Sequence, residues 1–162
     1  MLVSPVHPLH IIIGKVVPYM LIAFLSALIV LSAGIFIFKV PCVGSVPFLL
    51  AMLLLYTLVG LSFGLLISTL TNTQQNAMVL SLLATLLPNM MLSGFVFPIE
   101  SMPKIFQYLS YIVPARHFSI IIRGIMLKGN SLAEVYQPVL ILVLMTVVLL
   151  VVSIKKFKTR LE

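Results

Sequence analysis

The chain alternates between long apolar runs and short polar breaks. Four runs are long enough to cross a membrane as helices, because the hydrocarbon core is spanned by about 20 apolar residues. These runs cover about 16–38, 47–70, 77–97 and 135–155. The breaks carry polar and turn-forming residues, as in the loop TNTQQN at 71–76. The pattern predicts an all-α polytopic membrane protein with about four transmembrane helices.

The segment 98–130 departs from this pattern because prolines, charges and aromatic residues interrupt it. Two short helical patterns flank Pro114. We expect Ser101 to cap the first, with Pro103 in its first turn, and the second to end at Gly129. Lipid offers no hydrogen-bond partners to irregular backbone, which must therefore be buried in protein or line a cavity. The segment is predicted to be a short outer re-entrant or interfacial helix pair.

A kink and an outer gate are predicted where polar groups interrupt this region. Asn89 follows a mid-helix proline, so its amide could satisfy a freed carbonyl or contact a passing substrate. Glu100 is the only nearby acid, and it could pair with Arg116 or Arg123 or simply face water. The kink and gate set comprises Pro88, Asn89, Gly94, Pro98, Glu100, Pro103, Pro114, Arg116 and Arg123.

Two local patterns concern helix packing and helix starts. Gly60 and Gly64 form a GxxxG pair in the second span, where small residues let helix backbones approach closely in lipid. Both general helix packing and a specific dimer contact stay open, since the pattern is common by chance. Ser131 and Glu134 have the spacing of a capping box, which predicts the start of the last helix.

Composition supports the membrane class and suggests an orientation. The chain is 62% apolar and 8% charged, whereas soluble domains are about 45–50% apolar and about 25% charged. Its net charge is +7, and four of its ten basic residues lie in the tail 155–162. Basic clusters favour the cytoplasmic side, so both ends are predicted to be cytoplasmic. No basic patch with interleaved aromatic residues suggests a nucleic-acid partner.

The sequence offers no catalytic or metal-binding motif. There is no aspartate for a Ser-His-Asp triad, no HExxH motif and no Cys/His cluster. There is also no GxxxxGK[ST] loop to cradle a nucleotide. We therefore predict that the chain is not an enzyme, needs no cofactor and, if energy is required, depends on a motor in another chain.

Three stretches carry a family resemblance: LVSPVHPLHIIIGKVVPY, GLLISTLTNTQQNAM and LLPNMMLSGFVFPIESMPKIFQYLSYIVPARHFSIIIRGIMLKG. Together they resemble the type-two ATP-binding-cassette exporter permeases, in the bacterial branch of multidrug or inner-membrane transport permeases. The resemblance implies two paired permease subunits, identical or different, which a cytoplasmic ATP-binding subunit drives to export amphipathic, lipid-like or drug-like substrates. It also implies that 1–15 is a coupling segment. The expected coupling residues are Ser4, Pro5, His7, Pro8, Thr73, Gln74 and Gln75.

One departure from the family pattern is large. The family has two further spans, and in this branch an outer domain, before the coupling segment. The chain therefore resembles a C-terminal half, and the resemblance implies a missing N-terminal permease half as a partner. A non-transporting scaffold or anchor subunit, or a truncated remnant, is the alternative interpretation.

Overall fold

Helices form all the regular structure in the part of the chain described by this computed structural model, which covers residues 8–94 and 97–159. Four helices contain segments long and apolar enough to cross a membrane: Val16–Phe36, Val46–Leu70, Gln74–Leu92 and Leu132–Lys156. The predicted all-α polytopic fold is confirmed. The helices are α1 (Pro8–Phe36), α2 (Val46–Leu70), α3 (Gln74–Leu92), α4 (Lys104–Ser110), α5 (Pro114–Lys128) and α6 (Leu132–Thr159), with a 3-10 turn at Ile99–Ser101.

Several helix ends differ from the predicted ones because local capping moves them. Helix α1 already begins at Pro8, where a ring-fixed φ suits a first turn, so residues 8–15 are continuous with the first span. Helix α3 begins at Gln74 because the Thr73 hydroxyl accepts the N–H of Asn76 at 3.3 Å. It stops at Leu92, before the predicted residue 97, since Gly94 adopts a left-handed φ of 75°.

The first helix of the outer pair also starts differently from the prediction. The Ser101 hydroxyl donates to the carbonyl of Pro98 at 2.7 Å, within the 3-10 turn, and does not cap α4. Helix α4 begins only after Pro103. The other two expected signals are present: Gly129 ends α5 with a φ of 69°, and the Glu134 carboxylate accepts the Ser131 N–H at 3.0 Å.

Helix α2 is the centre of the packed core. Its buried residues face α6 and α5, and among them Ser62 meets Ser153 of α6, whose hydroxyl lies 3.5 Å from the Ser62 carbonyl. Small residues at this crossing let the two backbones approach closely, as is usual for membrane helices. The core comprises Leu49, Met52, Val59, Ile121, Ile125, Met126, Val135 and Leu142.

Helix α5 packs beside roughly the first half of α2. The Phe118 ring stacks on Tyr56 with centroids 4.1 Å apart, and Met126 accepts the N–H of Val43 at 3.0 Å. Tyr56 lies ten residues into α2, which is about 15 Å at 1.5 Å per residue. The turn between α4 and α5 therefore lies deep beside α2, while α5 ends near the loop 37–45.

The loop 37–45 is fastened to α5 at Gly44, and this contact is testable. A Cβ at position 44 would collide with the Ile125 carbonyl and come within 2.7 Å of its Cγ2. We expect Gly44→Ala to lower the free energy of unfolding in detergent by about 1–3 kcal/mol, the usual cost of overpacking. Gly34→Ala is the control, because nothing lies within 4 Å of its Cβ position. Equal stability of the two variants would contradict this packing.

Candidate functional site

The turn between α4 and α5 is held by Arg116. Its Nη1 donates to the carbonyl of Gln107 at 3.1 Å and to the Ser110 hydroxyl. Its guanidinium carbon lies 3.8 Å from the centroid of the Tyr111 ring. The last carbonyls of a helix lack partners within that helix. Arg116 therefore satisfies the end of α4 and joins it to the start of α5.

His117 provides a second attachment at the same turn. Its side chain is only 3% exposed, and its Nε2 lies 2.8 Å from the carbonyl of Tyr111. A carbonyl can only accept, so Nε2 carries the proton and donates. Burial lowers the pKa of His117, the bond to Tyr111 opposes that shift, and the charge of Arg116 adds to it. The net lowering keeps the imidazole neutral at pH 7.

Two further side chains of α5 hold the end of α3. The Ser119 hydroxyl donates to the carbonyl of Ser93 at 3.0 Å and to that of Arg116 at 2.8 Å. The Nη2 of Arg123 lies 3.5 Å from the Gly94 carbonyl. These carbonyls lie where α3 has ended and can no longer pair within a helix. One helix, α5, thus supports both sides of the irregular segment.

Of the possibilities left open for Glu100, the pair with Arg116 is not formed. Glu100 is exposed, and its backbone carbonyl accepts a hydrogen bond from Gln107 Nε2 at 3.4 Å. Arg116 is held by Gln107, Ser110 and Tyr111, which lie at the end of α4 and at the start of the turn. The reason is geometric: α4 packs against α3 and the 3-10 turn, and its C-terminal end, only six to nine residues before Arg116, supplies the acceptors that this side chain reaches. A gate role for Glu100 stays a prediction.

Four contributors to this site were missed by sequence reasoning: Gln107, Ser110, His117 and Ser119. Each is polar within a short helix whose other side is apolar. Periodicity does not separate a polar residue that faces a turn from one that faces headgroups. The sequence signal that could have indicated this site is the position of His117 next to Arg116, just after a proline that begins a helix.

The prolines and the glycine of the gate set shape the chain path. Pro98 precedes the 3-10 turn, Pro103 precedes α4, and Pro114 is the first residue of α5. Gly94 turns the chain out of α3, and the Ile99 side chain lies 3.0 Å from where its Cβ would be. Fixed φ at three helix starts and a left-handed residue at one helix end build the turn.

A cavity of about 670 Å³ lies beside this turn, between α1, α2 and α3. Pro88 and Asn89 line it, and α3 continues as a helix through Pro88 to Leu92. We name it the α1–α3 cavity. Its lining residues are Ala23, Ser26, Ala27, Val30 and Leu31 of α1; Leu53, Tyr56, Thr57, Val59, Gly60, Leu61 and Phe63 of α2; Ala84, Thr85, Pro88 and Asn89 of α3; and Ile112, Val113, Pro114, Phe118 and Ile122 near the turn.

The walls of the α1–α3 cavity are mostly apolar, and the side chains of Tyr56 and Asn89 are among their polar members. The hydroxyls of Ser26, Thr57 and Thr85 each donate to a carbonyl of their own helix one turn back. Their hydroxyl protons are therefore engaged within their own helices, although each oxygen can still accept a hydrogen bond. Gly60 is on the wall, while Gly64 lies one turn further along α2, and neither has any atom within 4 Å of its Cβ position. The GxxxG pair does not pack against the described part of this chain.

The predicted coupling residues lie at the opposite end of the bundle where the structure describes them. Thr73, Gln74 and Gln75 are exposed at the start of α3. Pro8 begins α1, which runs in the same direction as α3 and so starts at the same end. Ser4, Pro5 and His7 lie outside the described residues. The structure adds a capping role for Thr73, and coupling itself stays a prediction.

Comparison with known proteins identifies the family. A family model described as "ABC-2 family transporter protein" matches residues 1–155. The chain belongs to this family. It is 40% identical over 146 residues to "Probable multidrug ABC transporter permease YbhR" of Escherichia coli (strain K12). The aligned region covers 90% of this chain and 39% of the relative. No solved structure was found to match.

Other relatives extend the same similarity. "Probable multidrug ABC transporter permease YbhS" of Escherichia coli (strain K12) is 37% identical over 94% of this chain and 41% of its own length. "ABC transporter G family member 20" of Dictyostelium discoideum is 29% identical over 89% of this chain and 20% of its own length. The chain thus spans about two-fifths of the length of the bacterial family members that it matches.

Replacing Arg116 tests its role in holding the turn between α4 and α5. We expect Arg116→Ala to lower the local opening free energy of 104–113 by about 1.5–3 kcal/mol, the usual value of a hydrogen bond to a charged group. Hydrogen–deuterium exchange of the protein in lipid nanodiscs measures this opening. Lys104→Ala is the matched control, since Lys104 is an exposed cation on α4, the helix whose exchange is measured. Similar exchange in both variants would contradict this role of Arg116.

The neutral state of His117 predicts a pH dependence. Its pKa in the closed turn lies below the ordinary value of about 6.5. At a pH well above 6.5, His117 is neutral in both the closed and the opened turn, so its contribution to the stability of the closed turn is fully present. As the pH falls below about 6.5, the opened state takes up protons first, and opening becomes easier.

We expect exchange of residues 111–118, corrected for the intrinsic pH effect on exchange, to increase as the pH is lowered through this range. His117→Gln keeps a side-chain donor but does not titrate, so the increase should disappear in that variant. The same increase in His117→Gln would show that another group is responsible.

Proposed function

We propose that this chain is a membrane-spanning permease subunit, or the C-terminal part of one, of an ATP-driven exporter. The observation that carries the proposal is the match of this four-span bundle, over nearly its whole length, to bacterial permeases named for multidrug transport. The proposed substrates are amphipathic, lipid-like or drug-like. The apolar composition of every span is consistent with substrates that enter from or leave to lipid.

The proposed partners follow from what the chain contains and what it lacks. ATP hydrolysis takes place on a cytoplasmic ATP-binding subunit, since the sequence has no nucleotide-binding loop. A second permease subunit and the N-terminal permease half complete the membrane part. The basic tail favours cytoplasmic ends in a bacterial inner membrane, which puts Thr73–Gln75 on the side of the ATPase and the α4–α5 turn outside.

The mechanism couples these two ends through α3. This helix has 19 residues and is about 28 Å long, with exposed glutamines at its start. Its other end is tied to α5 by the bond between Ser119 and Ser93. Nucleotide-driven closure of the ATPase favours one of two arrangements of the spans, and α3 transmits that bias to the outer turn. Residues 94–116 then act as the outer gate.

A pull-down tests the proposal. The native polypeptide that contains this chain is tagged, and its membranes are solubilised gently. We expect an ATP-binding subunit to be recovered, and the double variant Gln74→Ala/Gln75→Ala to recover several-fold less because both amides face the expected partner. Gln137→Ala is the control, since this glutamine is also exposed but lies near the start of α6, at the other end.

Two outcomes count against the proposal. Absence of any ATP-binding subunit would favour the scaffold or anchor interpretation. Equal loss in the Gln137→Ala control would place the contact away from the start of α3. Membrane insertion is measured in parallel. It should be unchanged in the double variant, because α3 retains its Thr73 cap and its apolar length.

A further inference from the structure

We propose that Lys39 and Lys128 bind the phosphate of an anionic phospholipid at the end of the bundle where α1 and α5 end and α6 begins. In the proposed orientation this end lies in the outer leaflet, and a lipid of the phosphatidylglycerol type is the expected occupant. The proposal goes beyond export, because it requires only that the bundle spans a lipid membrane. It gives a role to two cations that the contacts of the α4–α5 turn do not use.

Both lysines lie at the depth of a lipid headgroup. The membrane-spanning segment of α1 ends at Phe36, three residues before Lys39, and that of α6 begins at Leu132, four residues after Lys128. Both side chains are exposed. A lysine just beyond the apolar core lies along the hydrocarbon and places its ammonium at the interface. Phe36 and Phe38, which are 79% and 76% exposed, offer an apolar surface to acyl chains close to Lys39.

Main-chain contacts bring the two lysines to the same corner of the bundle. The Val43 N–H donates to the Met126 carbonyl at 3.0 Å, and the Val43 side chain lies 3.2 Å from the Cβ position of Gly129. Lys39 precedes Val43 by four residues in the same loop, and Lys128 follows Met126 by two residues at the end of α5. The two ammonium groups thus flank one junction, and the oxygens of a single phosphate can accept from both.

No acid neutralises this pair within the described residues, where neither ammonium has a hydrogen bond or an ion pair. Glu134 is the acid nearest to Lys128 in the chain, and its carboxylate accepts the Ser131 N–H at the start of α6. Arg123, the other cation in the later part of α5, is directed at the Gly94 carbonyl at 3.5 Å. The pair therefore presents positive charge to the membrane.

The side of the membrane on which these cations lie is unusual. In the proposed orientation they are outside, where basic residues are less common near membrane spans. Arg116 and Arg123 on that side bind backbone carbonyls of the irregular segment, which explains their presence. Lys39 and Lys128 make no such contact, and a lysine near an anionic membrane surface gains free energy from the lipid charge.

The backbone of Lys39 adds an independent observation. It is the only non-glycine residue with a positive φ in the described part of the chain, at 51°. Helices commonly end on a left-handed residue, usually glycine, because a Cβ is strained there. The Val40 N–H donates to the Gly34 carbonyl at 3.1 Å across this turn, yet a lysine occupies the position that suits glycine. Backbone strain of this kind points to a function for the side chain.

Thermal unfolding in the presence of lipid tests the proposal. The native polypeptide that contains this chain is purified in a mild detergent, and phosphatidylglycerol or phosphatidylcholine with the same acyl chains is added. We expect phosphatidylglycerol to raise the melting temperature by several degrees more than phosphatidylcholine does. The concentration needed for this effect should rise about fivefold for each lysine removed, as in Lys39→Gln/Lys128→Gln.

Lys104→Gln/Lys156→Gln is the matched control, because it removes two exposed lysines that lie on α4 and near the end of α6. It should keep the response to phosphatidylglycerol. Equal loss in the two double variants would show a response to net charge alone and would overturn the site. Equal stabilisation by glycerol phosphate, which carries the anion without acyl chains, would also overturn a lipid as the occupant.

Single variants at position 39 separate the cation from the backbone. Lys39→Gly removes the charge but suits the positive φ, so the lipid-free protein should be at least as stable as the wild type. Its affinity for phosphatidylglycerol should still fall about fivefold. Lys39→Arg keeps the charge and should keep the response. A full response in Lys39→Gly would mean that Lys39 only ends α1, and it would overturn the proposal.

Discussion

Lipid cannot satisfy a bare N–H or C=O group, and this constraint governs the part of the molecule where α3 stops. The chain leaves its helix at Ser93 and resumes a long helix only at Pro114, deep beside α2. Each exposed carbonyl at that depth needs a protein donor. Arg116, His117 and Ser119 supply three such donors from adjacent positions on one helix.

The role of α5 explains why it differs from the other helices. One of its faces carries Ile121 and Ile125, which are fully buried against α2 and α6, and its first turns carry the polar donors. The apolar face fixes the position of the helix, and that position brings the donors to the ends of α3 and α4. Loss of core packing at Ile121 would therefore also displace the donors, which lie on the same helix.

The bundle divides into a packed part and an open part. Helices α2, α5 and α6 share the buried core, whereas α1 and α3 contribute no buried residue to it within their described spans. An exporter needs elements that change their arrangement and elements that do not. The open helices α1 and α3 begin at the end where the ATPase is proposed to bind, and α3 ends at the proposed gate. Small-residue faces and few buried contacts suit such helices.

The amino-acid sequence alone determined the four spans, the start of α6 at its capping box and the end of α5 at Gly129. These features depend on hydrophobic length and on residues within one turn of each other. The tertiary structure alone decided that Arg116 binds the end of α4 instead of Glu100, that His117 is buried, and that Gly60 lines the α1–α3 cavity. Those outcomes depend on how α4 packs against α3 and how α1 and α3 pack against α2, and no local pattern encodes such distances.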